Sequence, residues 1–163
     1  MTDIWKPNVT VAAIVFQNGR YLLVEEHTSD GLRLNQPAGH LDPGESLEHA
    51  VVRETMEECA RPFHVLGLQG VYLYGAKSPR QGVPTTYLRF AFVGTVGERI
   101  ADRKLDEGIV RTVWMTPEEV HASAGRHRSA MVLQCVADHC AGKSTIDPCA
   151  LLFTDPSALG TPK

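Results

Sequence analysis

Three glutamates at positions 54, 57 and 58, preceded by a glycine-bearing turn that starts at Gly39, are the residues of this chain best suited to chemistry. At about 100° per residue, Leu47, Ala50, Val51, Glu54 and Glu58 fall on one stripe of a helix, with Glu57 beside it. The stripe begins apolar and turns acidic. If its first half faces a core, its second half brings carboxylates to the protein interior, where unpaired charges are costly. Like charges three and four residues apart also weaken a helix, and these sit at the end where the helix dipole disfavours anions. A bound divalent cation removes all three objections. Mg2+ takes oxygen ligands and keeps waters that can touch phosphate or act as nucleophile. A solvated acidic helix face is the competing reading. Gly39 shifts the balance, because a residue without Cβ lets a backbone carbonyl approach a metal or phosphate. Arg53 lies elsewhere on the helix, either orienting Glu45 or Glu57 through a bidentate pair or standing as an ordinary surface arginine.

These residues need a scaffold, and the flanking sequence describes one. Residues 9–16 and 20–26 are apolar, β-branched runs around Asn18-Gly19, the pair that best tolerates a tight hairpin turn. The prolines and glycines of NQPAGHLDPGE, residues 35–45, exclude a regular helix and dictate a shaped loop. Ser46 is a helix N-cap, and helix formers run to Cys59. After Arg61-Pro62, residues 63–75 read as one or two strands and residues 79–85 as a surface loop. Leu88, Phe90 and Phe92 alternate with Tyr87, Arg89 and Ala91, the period of a central strand. Residues 98–108 are charged and irregular, and a last strand ends at Trp114-Met115. Thr116, Pro117 and Glu119 form a capping box for a short helix. Ala130, Leu133, Val136, Ala137 and Cys140 have helical spacing, with Gly142 as the stop. The tail from Pro156 is expected to be loosely held. Strands interrupted by a long helix and closed by another predict an α/β layered domain, a mixed sheet between helices, spanning residues 1–163 as a single unit.

Composition narrows the partners. With 163 residues, 16 Lys and Arg against 19 Asp and Glu, and a net charge of -3, nothing draws the chain to nucleic acid or anionic lipid. There is no basic segment before an apolar run and no membrane-length apolar stretch, so a cytoplasmic protein is expected. Cys59, Cys135, Cys140 and Cys149 contain no C-x-x-C pair and are expected to be reduced. Cys135, His139 and Cys140 match no standard zinc spacing, and burial on a helix is the better account of these cysteines.

The stretch from Gly39 to Arg61 resembles the Nudix box, G-x5-E-x7-R-E-U-x-E-E-x-G-U with U apolar. It matches at Gly39, Glu45, Arg53, Glu54, Glu57 and Glu58 with every spacing intact, and differs at Thr55, Ala60 and Arg61. The resemblance implies an α/β/α sandwich and hydrolysis of a nucleoside diphosphate linked to another group, by water attack at phosphorus with Mg2+ or Mn2+. Glu54, Glu57 and Glu58 would be metal ligands, with Glu54 or a neighbour assisting deprotonation of water. The Gly39 carbonyl would complete the inner shell, and Arg53 with Glu45 would form the orienting pair. A further acid from a late loop would join them, with Glu107 the first candidate and Asp106 the second. Between Trp5 and Gly142 the chain is also similar to the NudJ-like branch, phosphatases of nucleoside tri- and diphosphates and of thiamine-type pyrophosphates. It carries Leu34 where that branch often has an aromatic residue.

Substrate contacts are expected from His40, Arg33, Gln36, Tyr74 and Arg89, with Asn35, Lys77, Arg80 and Tyr87 as further candidates. The partner is then a small phosphorylated metabolite or nucleotide, bound by a monomer or homodimer. A pyrophosphatase for ADP-ribose or another sugar nucleotide is the alternative enzyme. A non-catalytic domain that binds a phosphorylated metabolite is the alternative outside enzymes, and the full set of box carboxylates speaks against it.

Overall fold

The computed structural model describes residues 4–77 and 84–143, so Arg80 and the tail from Pro156 lie outside the described residues. Strands β1 (Asn8–Gln17) and β2 (Arg20–Thr28) flank the expected turn, with Asn18 at φ 51° and Gly19 at φ 75°. β1 pairs with β2 only at Phe16 and Gln17. Beyond that point the two strands part.

Gly31–Asn35, given no element by the sequence reading, forms β3, antiparallel to β2. The stretch read as a loop, residues 35–45, is more regular than expected, since Ala38–His40 forms the short β4, antiparallel to β1 at Thr10–Ala12. Period-2 patterning is hard to see in three residues between Pro37 and Pro43, which is why β4 escapes a sequence reading. Helix α1 runs Leu47–Cys59 behind the Ser46 cap, whose hydroxyl accepts from the His49 N–H at 3.1 Å.

Residues 63–77 form one strand, β5, bent by irregularities near Gly67 and Gly70. It pairs with β6 (Pro84–Val96), which lies parallel to β1 from Asn8 to Val15 and is central as expected. Strand β7 (Ile109–Met115) pairs with β2. The sheet order is β3-β2-β1-β6-β5, with β4 attached to β1 and β7 to β2.

Alternation on the strands makes two cores. Val11, Ala13, Val15, Leu22, Val24 and Phe92 meet Ala50, Val51 and Cys59 of α1. On the opposite face Ile14, Tyr21, Leu23 and Ala91 meet Val120 of α2 (Pro117–Ala122) and Val132, Cys135 and Val136 of α3 (Met131–Cys140). This is the expected sandwich with a mixed sheet. The capping box at Thr116 and Glu119 forms in both directions. The inward stripe of α3 departs from the expected one. It runs Val132, Cys135 and Val136, while Ala130, Ala137 and Cys140 are exposed. Small residues gave a false stripe there, whereas the β-branched residues found the core.

Candidate functional site

α1 delivers its acids as its periodicity demands. Ala50, Val51, Glu54, Thr55, Glu58 and Cys59 are its buried residues, and Glu57 stands half-exposed beside them. Gly39 pairs with Val11 and so faces α1. A Cβ built on Gly39 would lie 2.1 Å from the Glu54 carboxyl carbon. The missing side chain is therefore the space that Glu54 occupies. Glu58 Oε2 accepts from the Ala38 N–H at 2.8 Å, so one acid of the stripe is bonded to β4 and the other packs against it.

Arg53 binds more partners than expected. Its Nε and Nη2 grip both oxygens of Glu45 at 2.9 Å, Nη1 donates to Glu54 at 2.7 Å and Glu57 at 3.1 Å, and Nη2 reaches the His40 carbonyl at 3.0 Å. The bidentate bond to Arg53 holds Glu45 below the usual carboxylate range. Burial pushes Glu54 up despite Arg53, and pushes Glu58 up to about 8. One guanidinium thus leaves an excess of buried negative charge.

Among the described residues, no three His, Cys, Asp or Glu side chains converge on one point as they stand. Arg53 draws Glu54 and Glu57 toward itself, while the Ala38 N–H draws Glu58. The donor set nonetheless fits a hard divalent cation: neighbouring carboxylates in acid excess, with Glu54 seated in the space left by the missing Cβ of Gly39. Of the two late-loop acids, Asp106 is the one tied to the site. Its N–H donates to the Glu57 carbonyl at 2.9 Å, and its charge is felt at Glu54 and Glu58. Both acids are exposed, and Glu107, the first candidate, is not among the leading charges acting on Glu54 or Glu58.

Where β1 and β2 part, a cavity of about 800 Å³ opens against the other side of β4. Arg33, His40, Tyr74 and Arg89 line it, together with Asn35 and Tyr87. Gln36 does not line it. It is buried, donates to the Val132 carbonyl at 2.9 Å, and its Oε1 meets Arg89 Nη1 at 3.5 Å. Gln36 therefore fixes α3 and Arg89. Lys77 ends β5, and its side chain lies outside the described residues. Sequence reading missed Thr10, Glu26 and Arg128, which also line the cavity. Glu26 accepts from Arg128 at 2.6 Å. An acidic residue ending an apolar strand, as Glu26 does, was the available signal.

The expectation of reduced cysteines holds among the described residues, where Cys59, Cys135 and Cys140 are free. Among the same residues, no helix is long and apolar enough to cross a membrane.

Residues 6–134 match the family described as NUDIX domain. Phosphatase NudJ of Escherichia coli (strain K12) is 32% identical over 143 residues, covering 86% of this chain and 88% of that protein. A NUDIX hydrolase from Nitrosomonas europaea superposes with a TM-score of 0.85 at 45% identity, covering 93% of this chain and 99% of that one. The MutT protein from Methanosarcina mazei Go1 shares the fold, with a TM-score of 0.66 at 21% identity over 87% of this chain and 100% of that one. With the box residues gathered around Gly39 and similarity running nearly end to end, the chain belongs to the Nudix hydrolase family.

Proposed function

We propose that this enzyme hydrolyses a phosphoanhydride bond in a nucleoside di- or triphosphate or a thiamine-type pyrophosphate, using Mg2+, with Mn2+ as a possible substitute. The observation that carries the reading is the pair of buried carboxylates against β4, Glu54 in the space left by Gly39 and Glu58 on the Ala38 N–H. Glu54, Glu57, Glu58 and the Gly39 carbonyl would hold the cation, and Asp106 would add charge from the loop. Bound there, the cation would polarise a phosphate oxygen and lower the pKa of the attacking water.

The chain's own groups do the rest. Arg53 anchors Glu45 and sets the orientation of Glu54 and Glu57. Glu54, whose pKa burial raises, or a neighbouring carboxylate would take a proton from water. Arg89, without a carboxylate in ion-pair distance among the described residues, offers its guanidinium to phosphate oxygens. Similarity to the phosphatase NudJ of Escherichia coli favours these substrates over sugar nucleotides. A cytoplasmic location agrees with such metabolites.

The test is chromatographic detection of the cleavage products of nucleoside tri- and diphosphates, thiamine diphosphate and ADP-ribose across a Mg2+ titration, because cleavage of ADP-ribose yields AMP and ribose 5-phosphate and no free phosphate. Turnover that rises with Mg2+ on the first groups and stays low on ADP-ribose is expected. Turnover confined to ADP-ribose would replace this reading with the sugar-nucleotide one.

A further inference from the structure

Strand pairing sets two opposite charge environments on either side of β4. Gly39 and Arg89 pair with consecutive residues of β1, Val11 and Thr10, so they belong to opposite faces of the sheet. On the α1 face, Glu54 fills the space at Gly39. On the other face, Arg89 lines the cavity.

Arg89 stands there without a counter-ion. Among the described residues no carboxylate lies in ion-pair distance, and its hydrogen bond is a long one, 3.5 Å from Nη1 to the Gln36 amide oxygen. Nε and Nη2 make no bond among those residues and are not sealed in by protein. Glu26 lines the same cavity but is taken by Arg128 at 2.6 Å. Arg33, from the β2–β3 side, is as free as Arg89, with a 3.4 Å contact to the adjacent Leu32 carbonyl. The charged lining is thus Arg33, Arg89 and Arg128 against Glu26 and Asp30. A guanidinium drawn partly out of water needs acceptors for its fork of donors, and burial already lowers the pKa of Arg89. Phosphate meets that need, because its oxygens take two parallel N–H bonds.

The position of Arg89 decides which phosphate this is. The two phosphates joined by the scissile bond belong to the cation at Glu54, Glu57 and Glu58. Arg89 is two strand spacings from β4, about 10 Å, and on the far face, with the backbone of β1 between. The spaces are nevertheless continuous. Gly39 borders both, and the charge of Glu58 is felt at Arg89, so one extended substrate can occupy the two together.

We infer that Arg89, with Arg33, forms a second anion subsite for a phosphate beyond the two joined by the scissile bond, so that this enzyme favours substrates with three phosphates over diphosphates. The inference rests on the hydrolase reading for the scissile bond and not for the anion subsite itself.

A third phosphate can end a polyphosphate chain or stand elsewhere on the molecule as an ester. The first measurement therefore compares kcat/KM for ATP, ADP and an ADP that carries a phosphate ester on its ribose. ATP should exceed ADP by at least about tenfold, and Arg89→Gln should remove most of that advantage while changing ADP less than about threefold. An ester-bearing ADP that also outruns ADP assigns the subsite to any third phosphate, and one that does not assigns it to the end of the chain. The second measurement is calorimetric binding of inorganic phosphate with a chelator present. Without a cation the α1 carboxylates repel phosphate, so binding reports the cavity. Arg89→Gln should weaken it by at least about tenfold and Arg33→Gln by about threefold, while Arg89→Lys, which keeps the charge and loses the fork, should fall between wild type and Arg89→Gln. Phosphate binding that needs Arg89 supports the subsite even where no nucleotide is hydrolysed, and then only the hydrolase reading fails. Equal kcat/KM on ATP and ADP, no phosphate binding by the wild type, or binding that both glutamine variants leave intact overturns it.

Discussion

Among the described residues, the carboxylate and arginine cluster on α1 and the one around Glu25 are built in opposite proportion. At α1, Arg53 alone serves Glu45, Glu54 and Glu57, with Glu58 buried next to them. On the neighbouring part of the sheet, a single buried carboxylate, Glu25, is held by two arginines, Arg111 at 2.7 Å and Arg126 closer still. The pKa directions follow. Glu25 is depressed, chiefly by its hydrogen bond to Arg111, while burial raises Glu54 and Glu58. The second cluster is complete by itself and ties β2 to β7 and to the turn before α3. The first is short of positive charge, and that shortage marks it as a place for a cation.

Removing one acid from each cluster tests the contrast most strongly. Glu58→Gln should lower kcat/KM by at least about 1000-fold, roughly 4 kcal/mol of barrier, because a ligand is lost. Without metal, the same variant should melt no lower than the wild type near pH 7, since burial keeps Glu58 largely protonated there and glutamine mimics that neutral form. Glu25→Gln should do the reverse, destabilising the fold by about 1–2 kcal/mol, a modest figure because both arginines are half-exposed and screened. Its rate per folded molecule should change less than about twofold. Melting and steady-state kinetics on both variants check this. A destabilised Glu58→Gln with normal turnover would erase the distinction.

The pH dependence of stability separates the clusters with opposite signs. Glu58 has a folded pKa of about 8 against the ordinary 4.5. The folded state then binds more protons than the unfolded one, so this group's contribution falls as pH rises from about 4.5 to about 8. Glu25 is depressed below 4.5. Its contribution is present above that value and is lost as pH falls through the lower folded pKa. Metal-free melting temperatures should therefore decline from pH 5 to pH 8, and Mg2+ should remove most of that decline by supplying the missing charge. Glu58→Gln should flatten this limb and leave the acid limb, which Glu25→Gln should flatten instead. A wild-type profile unchanged between pH 5 and pH 8 would show that Glu58 is already compensated.

The sequence made the acid-rich cluster visible and hid the other one. Glu54 and Glu58 continue the apolar stripe of Leu47, Ala50 and Val51, so local periodicity alone turns them inward. The Asn18-Gly19 turn, the Ser46 cap and the capping box at Thr116 are equally local and were equally legible. Glu25, Arg111 and Arg126 come from separate elements and meet only through strand pairing. The same holds for Thr10, Glu26 and Asn35, whose common cavity exists because β1 and β2 part after a short pairing. Asp106 over Glu107 is a matter of how a loop docks on the end of α1. No periodicity encodes that choice.

A smaller change sharpens the comparison from the helix side. Ala60 ends α1 in the left-handed region, at φ 52°, where the Nudix box carries glycine. That conformation is costly for a residue with a Cβ. Ala60 is fully buried, so the strain is held in place by packing and by its N–H bond to the Met56 carbonyl at 3.0 Å. Ala60→Gly removes the strain and gives up one methyl contact and some backbone entropy, for a net gain of about 0.5–1 kcal/mol. The melting temperature should rise accordingly, while the slope of stability between pH 5 and pH 8 and the Mg2+ concentration for half-maximal turnover stay as they were. The strain sits two residues beyond the last acid, Glu58, on backbone that carries no charge. If the variant instead shifted the Mg2+ dependence, the exit of the helix would be setting the positions of Glu57 and Glu58, and the charge imbalance alone would not account for the site.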